Sequence, residues 1–280
     1  MRSRGARPET IHASAADPLS DNPIESAFAP WRNRRSRWPV EHHLAALDQD
    51  FEQYFSVCAQ RRIFSGPSIH FYERTIDIVR RAPSPDALAE NPAFYDFVYA
   101  TLTSWGMHRM GEKVSAKLTE FDTFSKTLRG LIGAVDDLYG QSILDLGDEP
   151  AAAVGAQIGQ LAATEGVTAS TAPLVANTKT LHFILPDLVP PMDRTYTGRF
   201  FFGPNTGLLL PGPTSDTVEY MFTALHRLAR RHAQFLRNVT GTSYLCLGHA
   251  KGLDNATIGY VLSHPRAFPK AGRGRTAEPD

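Results

Sequence analysis

Apolar positions recur every three or four residues along most of the chain, the spacing that lines one face of an α-helix. Leu44, Leu47, Phe51, Phe55 and Cys58 make one such stripe, and Ile69, Tyr72, Ile76 and Val79 a second. Asn91-Pro92 pairs a capping side chain with a proline at the first helical position, so a third helix is expected through Phe94, Phe97, Val98 and Leu102 towards Trp105. Thr119-Glu-Phe-Asp122 has the form of a capping box. It precedes the stripe Phe121, Phe124, Leu128, Leu131, Val135 and Leu138, which Gly140 is placed to end. Residues 149–164 and 172–185 predict two more helices, and 194–202 a short one. After Pro213 a long helix is expected to about Asn238, with Val218, Met221, Leu225, Leu228, His232, Phe235 and Val239 on its apolar line. A last short helix is expected from Asp254 to near Ser263, before Pro265. Strand signals are confined to 207–210 and 242–247, enough for at most a small β-hairpin. The predicted fold class is mainly α, a multi-helix globular bundle.

Composition divides the chain further. Residues 1–39 are rich in Arg, Ser, Ala and Pro with little periodicity, and read as a flexible basic tail; 266–280 reads as a second, frayed tail. The helical domain spans 40–265, either as one core or as two lobes, 40–140 and 141–265. Near the end of the first tail, four arginines stand between Trp31 and Trp38. That pattern suits phosphate contact and base stacking. It equally suits an arm whose tryptophans pack on the domain while the arginines stay in water.

Charge removes some function classes. Lys plus Arg and Asp plus Glu balance at 29 each, which argues against indiscriminate coating of nucleic acid and leaves room for a local basic face. There is no run of 18 apolar residues and no apolar stretch behind the N-terminal arginines, so no membrane partner is expected and a cytoplasmic location is. Cys58 and Cys246 match neither a metal-ligand spacing nor a disulfide framework, which fits a reducing compartment. The phosphate-loop, dinucleotide, nucleophile-elbow, kinase and H-E-x-x-H signatures are missing, and no cofactor or metal is expected.

Candidate chemistry concentrates in residues 171–202. Lys179 and His182 lie one helical turn apart and share a face. Pro186 ends their helix, Pro190-Pro191 stiffens the return, and Asp193 opens the next helical stretch beside Arg194 and Tyr196. The return can bring Asp193 back to Lys179 or His182. A lysine beside a carboxylate in apolar surroundings has perturbed protonation, one route to a nucleophile or base. The catalytic candidates are therefore Lys179, Asp193 and His182, with Arg194 and Tyr196 as binding neighbours. The same residues also suit a structural lock in which Asp193 caps the helix and pairs with Lys179. A second candidate surface is the side of the long helix opposite its apolar line. It carries Arg227, Arg230, Arg231 and Arg237, flanked by His226, and reads as a phosphate-binding face or an ordinary solvated one. In the stretch 105–111, Trp105 precedes Gly106, and His108 and Arg109 stand between Gly106 and Gly111, either lining a pocket or ending a helix with Trp105 and Met107 in the core.

The 171–202 segment resembles the helix-hairpin-helix base-excision DNA glycosylases. In that family a lysine at the start of a helix is followed, after an apolar helix and a Pro-containing return, by an aspartate that opens the next helix. The resemblance implies that Asp193 helps drive glycosidic-bond cleavage and that Lys179 attacks the sugar carbon, as in the bifunctional members. Leu174-Val-Ala-Asn-Thr178 stands where the family has a glycine-rich hairpin, and the separation from Lys179 to Asp193 is shorter than in the family. Three functions remain open: a helical DNA-interacting protein, of which a divergent glycosylase-like enzyme is one form; a non-catalytic helical binding module; and an enzyme on a small anionic substrate anchored by Arg194, Arg109 and Arg231.

Overall fold

The stripe from Leu44 to Cys58 folds as two helices, α1 (Val40–Gln49) and α2 (Phe51–Gln60), with a break at Asp50. The long helix expected after Pro213 is likewise divided, into α10 (Thr214–Arg231) and α11 (Ala233–Val239), with His232 between them. The two breaks lie against each other. Asp48 binds Arg231 and, at 2.9 Å, the ring of His232, and that ring stacks on Phe51 at 4.2 Å. A side-chain knot holds each ladder where it stops, and periodicity alone carries no trace of it.

The computed structural model describes residues 38–61, 66–107, 117–169, 173–204, 212–243 and 246–269. Among them the regular structure is twelve α-helices, two short non-α turns and one isolated antiparallel bridge between Leu118 and Thr168. Residues 207–210 and part of 242–247, the expected hairpin, lie outside the described residues, as do Arg109, Trp31 and residues 1–37 generally.

Between α2 and the centre of the chain come α3 (Pro67–Arg81), α4 (Pro85–Ala89) and α5 (Pro92–Ser104), each with proline in its first turn. Ser84 and Asn91 cap the latter two, accepting from the Ala87 and Ala93 backbone nitrogens at 3.2 and 3.1 Å. The expected capping box before α6 (Phe121–Gly133) does not form. The Thr119 hydroxyl instead donates to the Gly166 carbonyl at 2.6 Å, because a distant segment satisfies it first. α6 ends at Gly133, one 3₁₀ turn (Asp136–Leu138) follows, and Gly140 adopts φ +76°, which a Cβ-bearing residue rarely does. Next come α7 (Asp148–Ala162), α8 (Leu174–Ile184) and α9 (Arg199–Phe202).

The last helix, α12 (His249–Ser263), begins five residues before Asp254, where the expected one starts. Every residue from Ala250 to Val261 is buried, as in a helix packed on all sides. α12 runs along α2, and α10 along α7, while α8 touches α3, α5, α6 and α7. Two glycines permit the closest approaches. A Cβ on Gly259 would fall on the Tyr54 carbonyl oxygen, and one on Gly159 on that of Ser215. Because α2 lies on α12, the stretches 40–140 and 141–265 interlock rather than forming separate lobes. Trp38 is anchored: its indole nitrogen donates to the Phe200 carbonyl at 2.8 Å, and its ring stacks on His43 at 4.6 Å.

Candidate active site

Two side chains of α8 fasten the proline-rich return to the helix that precedes it. Thr178 Oγ1 accepts from the Met192 backbone nitrogen at 3.2 Å, and His182 Nδ1 meets the Val189 carbonyl at 2.8 Å. A carbonyl only accepts, so Nδ1 carries the proton, and the Tyr72 hydroxyl then donates to Nε2 at 2.9 Å. Burial drives the His182 pKa down to about 3, against the smaller opposing effect of the Val189 bond. His182 is thus a neutral fastener with both nitrogens in use, and it is not among the residues lining the cleft described next.

Since Thr178 is bonded to Met192, their neighbours Lys179 and Asp193 come together. Both line a cleft of about 410 Å³, together with Trp105, Tyr196, Ser68 and Ser104. That volume lies within the roughly 300–1,000 Å³ of small-molecule sites. Asp193 caps the turn that follows, its Oδ1 accepting from the Tyr196 backbone nitrogen at 2.6 Å. That turn, Arg194–Gly198, is a π turn: the Gly198 nitrogen bonds the Asp193 carbonyl at 2.7 Å. The wider turn faces Tyr196 into the cleft, while Arg194 beside it does not line the cavity.

The cleft holds a second lysine–aspartate pair that sequence reasoning missed. Lys251 and Asp254, one turn apart on α12, form an ion pair with side chains only 3% and 6% exposed, and both line the cavity. The indole of Trp105 joins the two halves, with Lys179 Nζ 5.2 Å and Lys251 Nζ 6.0 Å from its centroid, inside cation–π range. The sequence pattern makes Asp254 a helix start, which puts Lys251 in a loop. The signal that could have found the pair is the K-x-x-D spacing, invisible until the helix is known to begin at His249.

Burial lowers the Lys179 amine below its ordinary pKa, with Asp193 and Asp254 opposing and Lys251 and Lys117 assisting. Burial raises the Asp254 carboxyl, against the pull of Lys251. The cleft therefore makes the amine easier to deprotonate and the carboxyl easier to protonate than usual, the direction acid–base and nucleophilic chemistry needs. Cys58 close by is buried and its thiol pushed up to about 12, an inert apolar side chain.

The arginine face of α10 and α11 lies apart from this cleft. Arg230 pairs with Asp148 at 3.4 Å, Arg237 with Asp145 at 2.6 Å, and Arg231 with Asp48. His226, expected beside these arginines, is buried and hydrogen-bonded to the Leu146 carbonyl at 3.0 Å. Among the described residues no group of three or more His, Cys, Asp or Glu side chains is arranged to hold a metal ion. No described helix is long and apolar enough to cross a membrane.

Fold and site together define a mainly α protein with a buried lysine–aspartate cleft. No family model, no curated protein and no solved structure matches the chain.

Proposed function

We propose that the chain is an enzyme that cleaves an N-glycosidic bond of a base carried on DNA, with Lys179 as nucleophile and Asp193 as the carboxylate beside the sugar. The observation that carries this reading is the placement of Lys179 and Asp193 in one cleft under the face of Trp105. A flat base suits the aromatic walls given by Trp105 and Tyr196. As the bond between sugar carbon and base nitrogen breaks, positive charge develops on the sugar, and the Asp193 carboxylate stabilises it. The Lys179 lone pair bonds to that carbon while the base leaves with the bonding electrons. The resulting amino sugar opens to an iminium, which borohydride reduces to a stable secondary amine.

The test is borohydride trapping on oligonucleotides carrying abasic sites and a panel of altered bases. A protein–DNA adduct mapped to Lys179 by mass spectrometry is the expected result. No adduct on any of them would falsify the reading. A second reading, an enzyme on a small anionic substrate, rests on the two lysines lining the cleft and on the arginines tied up in ion pairs, which leave fewer cations for a DNA backbone. It predicts ligand binding in the cleft that double-stranded DNA does not compete away.

A further inference from the structure

A charged pair sits in the first two turns of the most thoroughly buried helix, and the fold alone gives it no reason to be there. α12 is buried without interruption from Ala250 to Val261, yet two of those residues are Lys251 and Asp254. Desolvating two ions is costly, and well-packed apolar residues in place of a buried pair are often as stable or more so. These two face a cavity rather than packed side chains, and Lys179 and Asp193 line the same cavity. Lys251 Nζ and Lys179 Nζ lie over one indole, and Asp254 is close enough to bias the charge on Lys179.

We propose that the Lys251–Asp254 pair is the proton carrier of the site: Asp254 takes the proton that Lys179 Nζ sheds on bonding to the sugar carbon and passes it to the departing base, while Lys251 holds Asp254 in position. This rests on the glycosidic reading above. The step balances. Lys179 Nζ gains a bond to carbon and loses one proton, the base leaves with an electron pair and gains that proton, and Asp254 ends as the carboxylate it began as. Asp254 is thus a catalytic residue and Lys251 a positioning one. The direction of each protonation shift fits: burial raises Asp254 and lowers Lys179, so their proton affinities move towards each other, as transfer between them requires.

The decisive variant is Asp254→Asn, assayed for borohydride-trapped adduct against pH, with Lys179 labelled in parallel by acetic anhydride to follow how much of its amine is neutral. Removing a neighbouring negative charge makes Lys179 easier to deprotonate, so a purely electrostatic role for Asp254 predicts faster trapping at neutral pH. The proton-carrier role predicts the opposite sign: trapping slower by about 10²-fold or more, with labelling of Lys179 undiminished. Trapping as fast as wild type, or faster, overturns the proposal while leaving the glycosidic reading intact; wild-type protein that traps no DNA overturns both. Asp254→Asn leaves the Lys251 ammonium without its carboxylate. If that variant does not fold, Lys251→Met/Asp254→Leu removes both charges and is expected to fold and to trap as slowly; an unchanged rate in that variant also overturns the proposal.

Discussion

Asp187 Oδ1 accepts a hydrogen bond from the backbone nitrogen of His249 at 2.9 Å, so the return after α8 caps the first turn of α12. The helix bearing Lys179 is thereby fixed to the helix bearing Lys251 and Asp254. Arg80 strengthens the joint, lying 3.6 Å from the same carboxylate oxygen and donating to the Leu247 carbonyl at 2.5 Å. Gly248 allows the contact, since a Cβ there would strike the Pro186 carbonyl. Asp187→Ala is expected to cost about 1 kcal/mol, the usual loss of a cap, and to slow adduct formation by more than that stability loss accounts for. Urea unfolding beside trapping kinetics separates the two effects; kinetics that follow stability alone would show that the joint does not align the site.

Gly259→Ala tests the seat of α12 on α2. The added methyl meets the Tyr54 carbonyl, a backbone atom with nowhere to turn, so the helices must separate. The expected loss is about 3 kcal/mol or more, the upper range for overpacking. It is read as a lowered urea midpoint with an unchanged slope.

His182 gives stability a pH dependence of known sign. Its folded pKa is about 3 against an ordinary 6.5, so between those values the unfolded chain binds more protons than the folded one. Its contribution is full above pH 6.5 and is lost as pH falls towards 3, at up to roughly 1.4 kcal/mol per pH unit. His182→Gln, which does not titrate, is expected to flatten the pH–stability curve in that window. The pH–activity profile between 5 and 8 is expected to contain no His182 limb.

Asp193→Asn separates capping from chemistry. Asparagine still accepts from the Tyr196 nitrogen, so stability is expected to change by about 1 kcal/mol or less. The charge that would stabilise a sugar cation is gone, so trapping is expected to fall by about 10²-fold or more. Lys179→Ala is expected to abolish the adduct altogether. If both variants trap DNA like wild type, the segment is a structural lock.

The arginine face offers a test by salt. Arg230, Arg231 and Arg237 are closed on aspartates, so contact with phosphates requires breaking pairs already made. Replacing all three with alanine is expected to change the slope of log affinity against log salt by less than about 0.9, the equivalent of one phosphate. A change of two or three phosphates would make this face part of the DNA surface.

The helical character of the chain and the meeting of Lys179 and Asp193 at one cleft are legible in the sequence, because both rest on local spacing and on proline. What stays hidden depends on contacts between distant residues. The breaks at Asp50 and His232 come from one knot that joins α1, α2 and α10. The start of α12 is set by Asp187, sixty-two positions away, so the first turn holding Lys251 carries no cap of its own. Without that turn Asp254 resembles a cap, and half of the cleft goes unseen. His182 shows the converse: its position beside Lys179 is readable, but its use as a fastener depends on Tyr72 from another helix.

The pairing of α2 with α12 also bears on how the molecule is made. The cleft takes Ser68 and Trp105 from the first half of the chain, Lys179 and Asp193 from the middle, and Asp254 and Ile258 from near the end. During synthesis α2 waits for a partner that leaves the ribosome some two hundred residues later, with Phe51 and Tyr54 bare in the meantime. Until α12 arrives, the cleft lacks its second lysine and second carboxylate.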